Sequence, residues 1–350
     1  MSRCSRLVPI VLCFLAVPLG AQTIDKFLVP APDSRLMEIA NGKDGSLWFS
    51  MYLGNGIGQI TTGGRIELVA SPRATSGPIG VAAGSDGSIW FAEYRPGLIA
   101  RLLPDGGFVE YRLPDPTSRP TLMTFGPDGA LWFVEVYGHR IGRLTTAGVL
   151  TEYPTPTPLS YPKAIVAGPD GAMWFCEGGA DKIGRITMTG EITEYPLPDR
   201  DSGPYRIAVG PDGALWFTEF LGNRIGRITT SGTISEYAIP TPDSSPRGIT
   251  AGPDGALWFT EATSRKIGRI TPSGQITELD IPFLPGEGPP VATTLAVPPG
   301  GVGGPQSIVA GPDGNLWFTD GKTNKVCRVN LNDRHERDRE TYREERDGSR

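Results

Sequence analysis

Cysteine and histidine are scarce in this chain, and their scarcity excludes much chemistry. Its 350 residues include four cysteines and two histidines. Cys4 and Cys13 fall in the first 21 residues, which leaves Cys176 and Cys327 beyond them. No His/Cys cluster has the spacing of a metal site, no Gly-x-Ser-x-Gly marks a nucleophilic serine, and no phosphate loop is present. Of the histidines, His335 lies among charged residues near the C-terminus. His139 replaces the Asn of Gly222-Asn223-Arg224 in a related turn and is expected to be an exposed turn residue. Positive charge is not in excess: the formal net charge is −5, which weighs against nucleic acid as a partner. Long hydrophobic runs are missing after the N-terminus, and no helical period appears before residue 331.

The N-terminus differs from the rest. Arg3 and Arg6 precede an apolar stretch from Leu7 to Leu19, followed by the small residues Gly20 and Ala21. This stretch is shorter than the ~20 residues that span a bilayer and has the layout of a cleaved signal peptide. Residues 1–21 are therefore read as a signal, the mature protein as secreted or periplasmic, and no membrane association is expected after cleavage. Residues 332–350 are almost all charged and are read as a solvated tail.

What the chain has is a repeat. All seven tryptophans occur in Trp-Phe pairs, at Trp48, Trp90, Trp132, Trp174, Trp216, Trp258 and Trp317. The first six are 42 residues apart and the last step is 59, longer by a 17-residue insertion. A period near 42, rich in glycine and strand formers, is the size of a four-stranded propeller blade. The prediction is an all-β, seven-bladed β-propeller over residues 22–331, with a Gly/Pro-rich insertion at about 283–304, and the chain is expected to be a monomer. A ring of blades lets so long a chain fold as one body, because each blade needs only its neighbours to bury its faces.

The sixth repeat shows the blade most cleanly. Arg247–Gly252 is the innermost strand (A), turning through Pro253-Asp254-Gly255. Ala256–Glu261 is strand B, Lys266–Thr271 strand C, and Gln275–Leu279 the outer strand D. The recurring Trp is read as packing between blades. Burying about 200 Å² of it gives up to about 5 kcal/mol as an upper bound. The strand C arginines (Arg143, Arg185, Arg227, Arg269) recur with the strand D glutamates (Glu152, Glu194, Glu236, Glu278), and the two sets are expected to pair across strands. Thr23–Pro30 reads as a strand D placed before any strand A, while the last repeat ends after its strand C. The N-terminal strand should therefore complete the seventh blade and remove an open edge. Cys176 and Cys327 then lie across the ring, too far apart for a disulfide.

Because strands A and B are antiparallel, strand A begins where strand B ends, on one face of the ring. The residues eleven before each Trp should ring the channel mouth on that face: Met37, Ile79, Thr121, Lys163, Tyr205, Arg247 and Gln306. They differ from blade to blade while their surroundings repeat, which marks them as ligand-facing. Three residues after each Trp stand Met51, Glu93, Glu135, Glu177, Glu219, Glu261 and Asp320. This ring of carboxylates either holds a divalent cation or cationic ligand or serves each blade separately. Tyr52, Tyr94 and Phe220 follow it as candidate aromatic walls.

The texts Gly252-Pro-Asp-Gly-Ala-Leu-Trp-Phe-Thr-Glu261, Asn223-Arg-Ile-Gly-Arg-Ile-Thr229 and Ile192-Thr-Glu-Tyr-Pro-Leu-Pro198 closely resemble the streptogramin lyases, the virginiamycin B lyase family of seven-bladed propellers. The resemblance spans roughly residues 23–330. It implies action on cyclic depsipeptides, with an ester linkage opened by Mg-assisted elimination. It also places the family's substrate-contacting histidine at Arg247, its catalytic-base histidine at Gln306, and its metal carboxylates at Gly304 and near Asp320 or Gly321. Of these only Asp320 retains a ligating side chain, so no cofactor is expected unless lyase activity persists, in which case Mg is. A general base must release its own proton near neutral pH. Arginine stays protonated there, and the glutamine amide is not a base. The first expectation is thus a secreted propeller that binds a small-molecule or peptidic ligand at the mouth. The alternatives are a lyase with a relocated base, for which Tyr205 and Glu261 are candidate substitutes, and a protein-interaction scaffold.

Overall fold

A computed structural model describes residues 22–282 and 304–331. The expected signal, the tail and the insertion apart from Gly304 lie outside the described residues. Within them the chain is a seven-bladed β-propeller of seven four-stranded antiparallel sheets. Strand A of each blade lies beside strand A of the next, and the first and seventh blades are neighbours. The seventh sheet takes its outer strand from Thr23–Leu28, paired in antiparallel register with Lys325–Asn330. Closure by the N-terminal strand is therefore as the sequence predicts.

Trp and Phe alternate faces because adjacent strand residues point to opposite sides of a sheet. The Trp of one blade packs into the same core as the Phe of the next: Trp132 with Phe175, Trp90 with Phe133, Trp216 with Phe259, Trp258 with Phe318, and Trp317 with Phe49 across the closure. In blades three to seven the indole nitrogen donates to the turn aspartate of its own blade, as Trp132 does to Asp128 at 3.1 Å. The Phe ring lies over strand C of its own sheet, where Gly142 stands in blade three. A Cβ at Gly142 would run into the Phe133 ring. Cys327 occupies this position in blade seven, opposite Phe318. Cys176 and Cys327 are both free and buried, and burial pushes both thiols up, away from nucleophilic reactivity.

The expected pairing of strand C arginines with strand D glutamates does not form. Arg143 faces Thr151, while Glu152 faces Gly142, one residue out of step. A one-residue offset sends the two side chains to opposite faces. The arginines instead bond to the A–B turn aspartates, with Arg143, Arg185, Arg227 and Arg269 each 2.7 Å from Asp128, Asp170, Asp212 and Asp254. The glutamates pair with the first residue of strand C, such as Lys182 with Glu194 at 2.6 Å.

His139 is half-buried rather than exposed. It adopts φ 51° in the B–C turn, and its Nδ1 accepts a hydrogen bond from the Tyr161 amide at 3.3 Å. That is the place held elsewhere by Asn223, whose Oδ1 accepts from the Ser244 amide and hydroxyl.

Candidate functional site at the channel mouth

The mouth is built by a bulge in strand A. In blade five Pro204 faces Glu219 and Ile207 faces Phe217, so Tyr205 and Arg206 together oppose Thr218. Two residues against one is a β-bulge, and it recurs at the start of strand A in blades one to six and again in blade seven. Strict alternation would send neighbouring residues to opposite faces. The bulge turns both toward the axis. The first residues of the bulges are the seven positions expected at the mouth. The second residues include Glu38, Leu122, Ala164, Arg206, Gly248 and Ser307, which line a central channel of about 390 Å³. This second ring was not legible from the period-two pattern.

A cavity of about 40 Å³ at the mouth is lined by five of the expected residues, Met37, Ile79, Thr121, Lys163 and Tyr205, together with Arg206. Arg206 also lines the channel. Its guanidinium crosses from blade five to Glu38 of blade one at 2.5 Å, and the Ser307 hydroxyl of blade seven donates to Glu38 at 2.9 Å. An ion pair thus bars the channel beneath the mouth.

Arg247 and Gln306 complete the ring as a bonded pair. The Arg247 Nη1 donates to Gln306 Oε1, and Gln306 Nε2 donates to the Gly304 carbonyl at 3.0 Å. Both are buried, and the Arg247 guanidinium lies 5.4 Å from the Phe220 ring centre. Phe220 in turn packs against Tyr205 at 5.7 Å. Burial lowers the Arg247 pKa, with Arg35 and Arg206 adding to it and Tyr205 opposing it. Tyr52 and Tyr94 lie with Tyr137, Arg95 and Arg119 along an open cleft of about 770 Å³ on blades one to three. Tyr137 and the arginines lie in turns outside the Trp-anchored positions, so the repeat alone did not mark them.

The carboxylates after the Trp are buried within their own blades, each opposite the first residue of strand A, as Glu177 is opposite Pro162. Burial raises Glu135 and Glu261 to about 7 and Glu177 and Glu219 to about 8, with adjacent serine hydroxyls pulling the other way. No group of three or more His, Cys, Asp or Glu side chains among the described residues is arranged to hold a metal ion. Asp320 is tied to the Arg265 guanidinium at 3.2 Å and accepts the Lys322 and Thr323 amides. Gly304, the other position the resemblance assigns to metal, has φ 112°, and a Cβ there would meet the Ala262 carbonyl oxygen. One position cannot carry a ligating side chain and the other already holds a cation, so these residues do not fit a divalent ion.

The virginiamycin B lyase family model matches residues 19–126 and 95–292. A solved streptogramin B lyase is 39% identical over 91% of this chain and all of its own, with a TM-score of 0.81. The virginiamycin B lyase of Staphylococcus aureus is 37% identical over 89% of this chain and 99% of its own, with a TM-score of 0.80. A catalytically inactive variant of that enzyme, solved with quinupristin, matches at 37% identity over the same shares, with a TM-score of 0.79. The comparison with curated proteins gives no match. No helix among the described residues is long and apolar enough to cross a membrane. With the repeat, the closed ring and these likenesses in agreement over most of its length, the chain belongs to the virginiamycin B lyase family.

Proposed function

We propose that this chain is an exported member of the family that binds a small or peptidic ligand at the channel mouth and lacks the family's lyase chemistry. The observation that carries the reading is the buried Arg247–Gln306 pair at the positions the resemblance assigns to histidines. Arg247 is a cation near neutral pH and Gln306 is an amide, so neither takes an α-proton from a substrate. Both are held by neighbours rather than poised against open space. The mouth keeps what binding needs: a recess lined by residues that vary around an otherwise repeated frame, beside a cleft with aromatic walls.

Family membership favours a second reading, a lyase with a relocated base. Quinupristin, bound by the Staphylococcus aureus relative, is the probe that separates the two. Incubation with quinupristin and Mg²⁺ at neutral pH is expected to leave the ring intact, while a thermal-shift screen of small molecules and short peptides finds stabilising ligands. Robust ring opening that EDTA abolishes would overturn the proposal.

A further inference from the structure

Individual donor atoms around the mouth have no acceptor among the described residues, although the arginines that carry two of them bond elsewhere through Nη1. Thr121 Oγ1 and Arg206 Nε are buried and without a hydrogen-bond partner among the described residues, and so is Arg247 Nε, one position further round the ring from Tyr205. Thr121 is only 8% exposed and Arg247 only 3%. Lys163 packs its stem over Gly178, and its ammonium has the Tyr161 ring at 5.9 Å rather than a carboxylate. Burial alone accounts for its lowered pKa. Unpaired buried donors cost free energy, and unpaired buried cations cost more. Such a set persists where an acceptor arrives from outside.

The neighbouring carboxyl groups do not supply that acceptor. Glu38 is engaged by Arg206 and Ser307. Glu177 and Glu219, the carboxyls of blades four and five, are held by burial at about 8 and are protonated near neutral pH. With Arg206 offset by Glu38, Lys163 is left at the mouth as a cation with no carboxylate partner among the described residues, on a molecule whose net charge is negative. At about 40 Å³ the cavity is small. It suits a small polar head such as a carboxylate, while the adjoining cleft of about 770 Å³ has space for a larger body. Tyr94 lines both this cavity and the tyrosine cleft beside it, so a head seated in one leads its body onto the other.

We propose that the mouth binds a carboxylic acid with an aromatic body. Its carboxylate is received by Lys163, Thr121 and Arg206, and its ring lies on the cleft of Tyr52, Tyr94 and Tyr137. This names the ligand class for the binding role proposed above and rests on it.

The test is calorimetric titration of the full chain with N-acetyl-phenylalanine and with its neutral carboxamide. The acid is expected to bind about tenfold or more tighter than the amide, because a charge-assisted bond replaces a neutral one. Lys163→Met should remove most of that preference, weakening the acid far more than the amide. Thr121→Val, which keeps the side-chain volume, should weaken the acid several-fold and provides a second variant should the first fold poorly. Equal binding of acid and amide would overturn the carboxylate assignment and leave the binding role standing, as would full competition by inorganic phosphate. Failure of both probes, where the small-molecule screen still finds a mouth ligand, would overturn the assignment alone. Failure of both probes and of the screen would remove the binding role with it.

Discussion

A buried carboxyl is the residue-scale feature with the clearest consequence. Glu135, Glu177, Glu219 and Glu261 are fully buried, and burial raises them to about 7 or 8 from an ordinary value of 4.5. A group that holds its proton more tightly when folded stabilises the fold below its unfolded pKa, and that contribution is lost as pH rises through the folded value. The turn aspartates work in the opposite sense. Asp86, lowered to about 2 by the Ser88 hydroxyl and by Arg101, contributes above its unfolded value of 3.8 and loses that contribution in acid. The melting temperature is therefore expected to be highest near about pH 5 and to fall toward about pH 9. Glu177→Gln with Glu219→Gln should flatten the alkaline side of that profile. A flat profile in the unmodified protein would show that these carboxyls ionise freely.

At the scale of the element, strand A depends on what fills its bulge. In blade six the Gly248 amide, freed from the ladder, donates to Thr260 Oγ1 at 2.8 Å, and that hydroxyl donates to the Gln306 carbonyl of blade seven at 2.9 Å. Ser50, Thr218 and Thr319 make the same bridge from blades one, five and seven, while blades two, three and four carry Ala92, Val134 and Cys176 there. Thr260→Val keeps the volume and leaves two buried backbone groups without a partner. It is expected to cost about 1–3 kcal/mol in denaturant unfolding. A cost within error would mean that the bulge is satisfied by other means.

The N-terminal strand is an element with a wider role, since Thr23–Leu28 supplies the outer edge of the seventh blade. Arg328 is fixed to it through Asp25, and Phe27 stacks on Trp317 at 5.4 Å. Deleting residues 23–30 exposes the strand Lys325–Asn330 as an open edge, and lower solubility and a lower melting temperature are expected. Coincident melting of the truncated and full-length proteins would show that closure does not depend on this strand.

For the whole molecule, symmetry separates frame from site. Every blade keeps the Trp-Phe pair, which sits in the core between each sheet and the next around the ring. The departures from symmetry gather on one face: the Glu38–Arg206 bar, Lys163, the Arg247–Gln306 pair, and Arg265 against Asp320. Period and turn chemistry were enough to read the number of blades, their strand order and the closing strand, because these depend on short-range alternation repeated seven times. Pairings that depend on register were not legible. Arg143 meets Asp128 rather than Glu152 because a one-residue offset reverses the face, and a list of recurring residues does not carry that offset. Nor did alternation place Arg206 at the axis, since the bulge breaks it there. The sequence by itself determined a seven-fold ring and where its face would vary. Only the tertiary structure decided which varied residues meet, because blades one and five face each other across a channel whose width no repeat period encodes.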